Sequence, residues 1–186
     1  MITLKKAIDY PIEQQLQILR WRNDERIAQY FLIDNIDEDV HLNWINNQKN
    51  INNPNLTFFI LYKEMLIGCA YFRDIDHKNK TAEWGIFLDP DNTQIPNGAG
   101  AAAEYLIHEY AFNTLDLFKL NIRVLDNNPA VIKMHKKFGY VEEGILRENI
   151  LKNNKRYDLY LLGLFQSEWL DTKNKFNKLL NKLIEF

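Results

Sequence analysis

Residues 81–110 read TAEWGIFLDPDNTQIPNGAGAAAEYLIHEY, and this stretch decides the fold. The first eight residues include aromatic and β-branched side chains, which predict a strand. A polar loop follows and ends in two glycines, after which apolar residues recur at helical spacing. Glycines at a helix start let backbone N–H groups approach a phosphate, and the helix dipole adds to the attraction. Two glycines before a helix are also common in plain turns, so both interpretations stay open here.

The remaining sequence predicts a chain in which helices and strands are mixed. Alternating aromatic and β-branched residues predict strands, and apolar residues at helical spacing predict helices. The predicted strands cover residues 2–4, 56–62, 65–76, 81–88, 120–125, 140–151 and 157–164. The predicted helices cover residues 12–22, 37 to about 53, 98–116, about 128–139 and 167–186. No repeat or Pro/Gly/Ser-rich linker interrupts this order, so we expect one domain.

Composition excludes several classes of protein. The 186 residues are 46% apolar and 13% aromatic, which is typical of one globular domain and not of a disordered chain. Cys69 is the single cysteine, which excludes a disulfide scaffold and favours a reducing, cytoplasmic compartment. The 23 basic residues nearly balance the 25 acidic ones, so we expect neither nucleic acid nor membrane as a partner. The N-terminus lacks the features of a signal peptide.

Residues 128–140 read NPAVIKMHKKFGY and give the glycine loop a context. Taken together, the two segments resemble the signatures of the GNAT superfamily of acyl-coenzyme A N-acyltransferases, in the order in which that superfamily carries them. The resemblance covers nearly the whole chain. It implies an α/β (α+β) fold in which helices flank a mixed central sheet with a V-shaped split between the fourth and fifth strands. The implied domain spans residues 1–186, with a core of about 1–165 and a C-terminal helix at about 167–186.

The same resemblance implies acetyl-coenzyme A as co-substrate and no metal. The pyrophosphate would sit on the glycine loop, and the pantetheine arm would lie between the splayed strands. The superfamily usually has Gln or Arg three residues before the first loop glycine, where this chain has Ile95; Gln94 is the nearest substitute. The implied cofactor-binding residues are Ile86, Phe87, Leu88, Gln94, Asn97, Gly98, Ala99, Gly100 and Asn128.

The resemblance extends to the branch of the superfamily that contains the ribosomal-protein N-terminal acetyltransferases. Four further segments carry it: WRN at 21–23, HLNW at 41–44, AEWG at 82–85 and GYVEEGILR at 139–147. Within that branch the chain is similar to the acetyltransferases of pseudaminic acid biosynthesis, which acetylate the 4-amine of a UDP-linked amino-dideoxy sugar. This implies direct acetyl transfer to a small-molecule amine in a ternary complex, with a homodimer as one possible assembly. The alternatives are a ribosomal-protein, peptide or polyamine acetyltransferase of the same fold, or a non-catalytic acyl-coenzyme A binding module.

Two residues are candidates for proton transfer. Alternation along the strand 81–88 puts Glu83 on the face opposite Trp84, where its carboxylate could act as a base directly or through water. The alternative for Glu83 is a solvated or cross-strand ion-paired side chain. The resemblance places His135 where many relatives have a tyrosine beside the thioester sulfur, and an imidazole can protonate a thiolate. A solvated helix histidine is the alternative for His135.

Further residues are candidates for binding the acceptor. Two arginines four residues apart could bind a diphosphate together if the first helix continues through Asp24, and the alternative is exposed arginines paired with neighbouring acids. An aromatic side chain on the second helix could stack on a base or sugar, or belong to the core. Cys69 is expected to be buried as packing. The candidates for acceptor binding are Arg22, Asn23, Arg26, His41, Trp44, Arg73 and Trp84.

Overall fold

The computed structural model describes residues 1–50 and 52–184. Strands in this part of the chain are β1 (Ile2–Lys6), β2 (Leu56–Tyr62), β3 (Met65–Asp76), β4 (Thr81–Leu88), β5 (Lys119–Leu125), β6 (Val141–Lys152) and β7 (Lys155–Phe165). They form one mixed sheet in the order β1-β2-β3-β4-β5-β7-β6. All neighbouring pairs are antiparallel except β4 and β5, which are parallel.

Helices cover both faces of the sheet. They are α1 (Ile12–Asn23), α2 (Glu25–Ala28), α3 (Glu38–Asn47), α4 (Ala99–Glu109), α5 (Pro129–Lys137) and α6 (Gln166–Leu180). Period-two alternation along β2 sends Phe58 and Ile60 into a core with α4 and α6, whereas Phe59 and Leu61 join a second core with α1 and α3. The central strands are therefore buried between two helical layers, as expected for an α/β fold, whereas the edge strand β6 is largely exposed.

The parallel strands β4 and β5 separate after three residue pairs. Thr81, Ala82 and Glu83 pair with Lys119, Leu120 and Asn121, and the rest of β4 continues without a partner on that side. Backbone groups of β4 that point toward β5 beyond Glu83 are thus left open to a ligand. This divergence confirms the predicted split between the fourth and fifth strands and creates a cleft in the middle of the sheet.

The predicted elements agree with the observed ones except at several ends. The first helix ends at Asn23, because Asp24 has extended backbone angles and caps the separate short helix α2. The second predicted helix corresponds to α3 and ends at Asn47, and the third corresponds to α4, which is followed by a π-helical turn from Tyr110 to Thr114. The last helix ends at Leu180, and the final two residues of its predicted range lie outside the described residues.

Candidate active site

A cavity of about 640 Å³ opens where β4 and β5 separate. Its walls come from β3, β4, β5, α1, α3, α5 and the connection between α2 and α3. We call this the central cavity. The predicted site residues that line it are Arg22, His41, Trp44, Arg73, Glu83, Trp84, Ile86, Phe87, Asn128 and His135. The split sheet therefore brings together candidate residues that are far apart in the sequence.

The glycine loop lies outside this cavity, at the start of α4. Gly98 is the N-cap residue of α4 and has a left-handed φ of 88°, a conformation that favours glycine. Gly98 and Asn97 are exposed, whereas the N–H of Ala99 already donates to the carbonyl oxygen of Pro96 over 3.0 Å, so a phosphate would meet the N–H groups that follow in the first turn of α4. Gly100 lies beside the end of β4, because a Cβ atom there would be 3.9 Å from Cδ1 of Leu88. The loop and the open edge of β4 thus fit a pyrophosphate followed by an extended arm.

The other predicted cofactor-binding residues near the glycine loop differ in their surroundings. Gln94 is exposed, and its N–H donates to Oδ1 of Asn92 over 2.9 Å. Ile95 is partly buried and packs against the large core. Ala99 is buried within the first turn of α4. Asn128 lines the central cavity, and no described residue forms a hydrogen bond with its side-chain amide, which leaves that amide available to a ligand.

Glu83 is held by two arginines. Its Oε1 accepts a hydrogen bond from Arg73, its cross-strand partner on β3, and its Oε2 accepts one from Nε of Arg123 on β5 at 2.8 Å. Both carboxylate oxygens are therefore engaged by guanidinium groups. The structure has the cross-strand ion pair that the sequence offered as the alternative for Glu83, and the role of base stays a prediction.

His135 is buried, with 4% of its surface exposed, so the alternative of a solvated helix histidine is wrong. The burial follows from the position of α5, which turns this side chain toward the core while its neighbours Lys136 and Lys137 remain exposed. Nδ1 of the ring lies 2.7 Å from Oε1 of Glu104 on α4. The imidazole also lines the central cavity, which gives it access to a bound ligand.

The two arginines predicted to bind a diphosphate together do not share a helical face, because the helix breaks at Asp24. Arg22 is buried and donates to the backbone carbonyls of Ile33 and Asp34, with its guanidinium 4.0 Å from the centre of the Phe31 ring. Arg26 is exposed and forms ion pairs with Asp24 and Asp91. The expectation that the pair faces one ligand is therefore wrong.

Residues 30–37 form a wall of the central cavity, and we call this segment the strap. Asn23 binds it by donating to the carbonyl of Ile36 over 2.8 Å and accepting from the Ile36 N–H over 3.0 Å. Lys152 on β6 is buried, and its ammonium donates to the carbonyls of Ala28 and Phe31. Together with Arg22, these side chains fix the strap through its backbone.

The aromatic candidates already have partners within the protein. Nε1 of Trp44 donates to Oγ1 of Thr57 over 3.0 Å, which orients the half-buried indole along the cavity wall. His41 is buried, its Nε2 is 2.8 Å from the Gln15 carbonyl oxygen, and burial lowers its pKa. Trp84 lines the cavity but is only 3% exposed and belongs to the large core, and its Nε1 donates to the hydroxyl oxygen of Tyr140 over 2.6 Å.

The sequence patterns did not identify four residues that the structure places at or around the central cavity: Tyr71, Glu104, Arg123 and Lys152. Tyr71 lies opposite Gly85, where any Cβ atom would collide with its hydroxyl group, so the glycine makes room for this side chain in the cavity. Burial raises the pKa of Tyr71 to about 12, which keeps the hydroxyl protonated. Alternation could have indicated Tyr71, since it shares a face of β3 with Cys69 and Arg73.

The split sheet, the glycine cap of α4 and the adjoining cavity define the class of acyl-coenzyme A-dependent acyltransferases. Residues 14–161 match the family described as "Acetyltransferase (GNAT) domain". The chain therefore belongs to the GNAT acetyltransferase family, and the protein is an N-acetyltransferase that uses acetyl-coenzyme A.

The described residues contain no group of three or more His, Cys, Asp and Glu side chains that could hold a metal ion. No helix among them could cross a membrane.

The chain is similar in sequence to acetyltransferases whose names differ. "Acetyltransferase PseH" of Campylobacter jejuni is 28% identical over 137 residues, which cover 74% of this chain and 83% of that protein. A "Spermidine N(1)-acetyltransferase" of Vibrio cholerae is 29% identical over 108 residues, 57% of this chain and 60% of that protein. The crystal structure of the spermidine N-acetyltransferase from Vibrio cholerae with CoA and spermine superposes with a TM-score of 0.80 at 23% identity, covering 91% of this chain and 98% of that one. That likeness establishes the fold.

Proposed function

We propose that the acceptor is a nucleotide sugar and that the protein acetylates the 4-amino group of a UDP-linked amino-dideoxy sugar, as in pseudaminic acid biosynthesis. The resemblance noted in the sequence and the similarity to PseH support this proposal. The polyamine alternative follows from the spermidine acetyltransferases, which are similarly close. The electrostatic character of the central cavity favours the nucleotide sugar.

That electrostatic character carries the proposal. Among the described residues, the Lys, Arg, Asp and Glu side chains lining the cavity are three arginines, Arg22, Arg73 and Arg123, and two acids, Asp37 and Glu83. Glu83 is already bound by two of the arginines, so it offers little to a cationic ligand. The arginines of this lining outnumber its acids, which disfavours a polyamine, and a diphosphate would find the guanidinium donors of Arg73 and Arg123 that do not bind Glu83.

Acetyl transfer forms a C–N bond between the amine and the acetyl carbon and breaks the C–S bond of the thioester. Acetyl-coenzyme A supplies the activated acetyl group. We assign its pyrophosphate to the first turn of α4 at Asn97, Gly98, Ala99 and Gly100, and its arm to the open edge of β4 at Ile86, Phe87 and Leu88, with Asn128 across the cleft. Gln94 stays a predicted contact of the loop. Unpaired N–H groups of β4 are suited to polarise the acetyl carbonyl.

Protons must move as these bonds change. His135 in its protonated form delivers a proton to the departing thiolate, and the amine releases one proton to solvent as the C–N bond forms. We propose that Glu83 anchors Arg73 and Arg123 and does not act as the base. Burial raises the pKa of the Cys69 thiol, so this cysteine stays protonated and does not carry the acetyl group. Transfer is therefore direct, within a ternary complex.

A comparison of acceptors tests this proposal. The purified protein is assayed with acetyl-coenzyme A and a UDP-4-amino-4,6-dideoxy sugar, spermidine or a peptide, and we expect kcat/KM to be highest for the nucleotide sugar. Arg123→Gln should raise the KM for that sugar by about 10-fold or more, because a charged hydrogen bond is lost, and leave the KM for acetyl-coenzyme A unchanged. Arg26→Gln is the matched control outside the cavity.

Efficient acetylation of spermidine or peptides with no turnover of the nucleotide sugar would overturn the acceptor assignment. Among the other candidates for acceptor binding, His41, Trp44 and Trp84 are predicted to shape the cavity wall, and Asn23 to act indirectly by holding the strap. A homodimer also remains a prediction, and the mass of the purified protein measured by light scattering tests it.

A further inference from the structure

Glu104 is a carboxylate in the middle of the large core. It lies on α4 between Ala103 and Tyr105, and all three residues are fully buried. One oxygen, Oε1, lies 2.7 Å from Nδ1 of His135, and the other has no hydrogen-bond partner among the described residues. Burying a carboxylate in apolar surroundings is unfavourable, and an apolar residue could fill the same space without this cost. Packing alone therefore does not account for a glutamate at this position.

The bond to Glu104 determines which nitrogen of His135 faces the ligand. If Glu104 is ionised, its oxygen can only accept the hydrogen bond, and this assigns the proton of the pair to Nδ1 of the imidazole. No described residue bonds Nε2, the ring lines the central cavity, and Nε2 is not sealed from solvent. The ring is further held between Trp84 and Tyr140, at centroid distances of 5.6 and 5.4 Å. Nε2 is therefore the nitrogen that meets a ligand.

The other titratable groups around His135 are neutral or turned away. Burial lowers the pKa of His108 well below its ordinary value and raises that of Tyr140 well above its own, so both are uncharged. Across the cavity, Glu83 is bound by its two arginines. The lysines beside His135 on α5 are exposed. Glu104 is therefore the carboxylate that acts on this imidazole.

We propose that Glu104 is a positioning residue for proton transfer by His135. Its carboxylate keeps Nδ1 protonated, turns Nε2 toward the thioester sulfur, and balances the charge of the imidazolium before the proton leaves. The imidazolium gives the Nε2 proton to the thiolate and becomes a neutral ring with Nδ1 still protonated, so charge and protons balance. This inference rests on the proposed role of His135 as the acid.

Glu104→Gln tests the inference, because it keeps the shape and a hydrogen-bond acceptor but removes the charge. We expect kcat to fall by about 10-fold to 100-fold, part of the usual range for general acid catalysis, with unchanged coenzyme A affinity. The pH profile of kcat should change in this variant, because the charged partner of the imidazole has been removed. Glu109→Gln, on the same helix, is the matched control and should keep the wild-type profile.

Three further outcomes distinguish the positioning role of Glu104 from the role of His135 as the acid. In a His135→Ala background, Glu104→Gln should have no further effect on kcat; a full additional loss would show that Glu104 acts independently of His135. A wild-type pH profile in Glu104→Gln, with His135→Ala impaired, would overturn the role of Glu104 alone. A wild-type rate and profile in His135→Ala would instead overturn the proposed acid, and with it the inference.

A measurement on the unaltered protein covers the case in which Glu104→Gln does not fold. Nitrogen-15 NMR of the histidine rings reports the tautomer of neutral His135, assigned by comparison with His135→Ala. We expect the Nδ1-protonated form, whereas free histidine favours a proton on Nε2. Detection of the Nε2-protonated form would contradict the hydrogen bond on which the inference depends.

Discussion

The ammonium of Lys152 lies 2.6 Å from the carbonyl oxygen of Phe31, although the two residues are 121 positions apart in the chain. The same ammonium donates to the Ala28 carbonyl at 2.7 Å and forms an ion pair with Asp34 at 2.7 Å. A lysine on the outer hairpin thereby ties down the wall of the central cavity. Because Lys152 is 5% exposed, these bonds are shielded from water and fix the strap more firmly than surface pairs would.

Replacing Lys152 by methionine should loosen the strap while preserving the length and apolar part of the side chain. We expect the free energy of unfolding to fall by about 1–3 kcal/mol, because buried carbonyls lose their donor. The KM for the acceptor should rise, and the affinity for coenzyme A should not change. Urea denaturation and steady-state kinetics measure both effects. Lys155→Met, at the exposed end of the same hairpin, is the control; equal effects in both variants would contradict the anchoring role.

A charge placed at Gly100 separates the stability of α4 from its binding of a pyrophosphate. Gly98 is unsuited to this test because its left-handed φ strains any other side chain, whereas a Cβ atom at Gly100 has room. Gly100→Asp should stabilise the helix, since an acid in the first turn complements the dipole, by about 0.3–1 kcal/mol. It should nevertheless weaken coenzyme A binding strongly through repulsion of the pyrophosphate. Calorimetry with Gly100→Asn as the neutral control measures this, and equal affinities in the two variants would remove the loop from the site.

Glu83→Gln distinguishes an anchor from a base. As an anchor, Glu83 positions Arg73 and Arg123, so the variant should raise the acceptor KM several-fold while kcat stays near the wild-type value. A base would instead lower kcat by about 10²–10⁴ at neutral pH, and higher pH would restore the rate. Steady-state kinetics over a range of pH decide between these results. Glu142→Gln, which breaks a surface ion pair with Lys136, is the matched control.

Buried histidines make the fold sensitive to acid. Burial lowers the pKa of His108 and of His41 in the folded protein, so the unfolded chain binds protons first as the pH falls below about 6.5. Stability is then full above that pH and decreases toward lower pH, by about 1.4 kcal/mol per pH unit for each group.

His108→Gln should remove one of these two contributions. Urea unfolding at about pH 7.5 and about pH 5.5 gives the loss on acidification, which we expect to be smaller in this variant than in the wild type. His77→Gln, in the exposed turn between β3 and β4, should show the wild-type loss. An unchanged loss in His108→Gln would show that His108 does not resist protonation in the folded protein.

The fold was accessible from sequence because its signals are local. Alternation along β2, β3 and β4, the turn at Asn153 and Asn154, and the glycine cap of α4 each depend on a few neighbouring residues. Asn153 and Asn154 have left-handed φ values of 48° and 59°, which is the conformation that a two-residue hairpin requires. Such preferences act before any tertiary contact forms, so sequence patterns report them directly.

The candidate site was accessible only in part, because its decisive contacts join distant residues. Glu104 and His135 are 31 positions apart on different helices, and the spacing of apolar residues within each helix does not predict their contact. The engagement of Glu83 by Arg123 depends on where β4 and β5 separate. The break at Asp24 did have a local signal, since Asp is a favoured N-cap residue, and its side chain accepts a hydrogen bond from the Arg26 N–H.

The strap is held mainly through its own peptide groups. Arg22, Asn23 and Lys152 bind carbonyl or N–H groups at Phe31, Ile33, Asp34 and Ile36, and they reach these groups from outside the segment. Side chains of the strap that face the cavity, such as Tyr30, Leu32 and Asn35, are therefore free to vary without loosening it. Such a wall can diverge in evolution or be randomised in a library, so new acceptor preferences can arise while the anchors and the catalytic groups behind them stay constant.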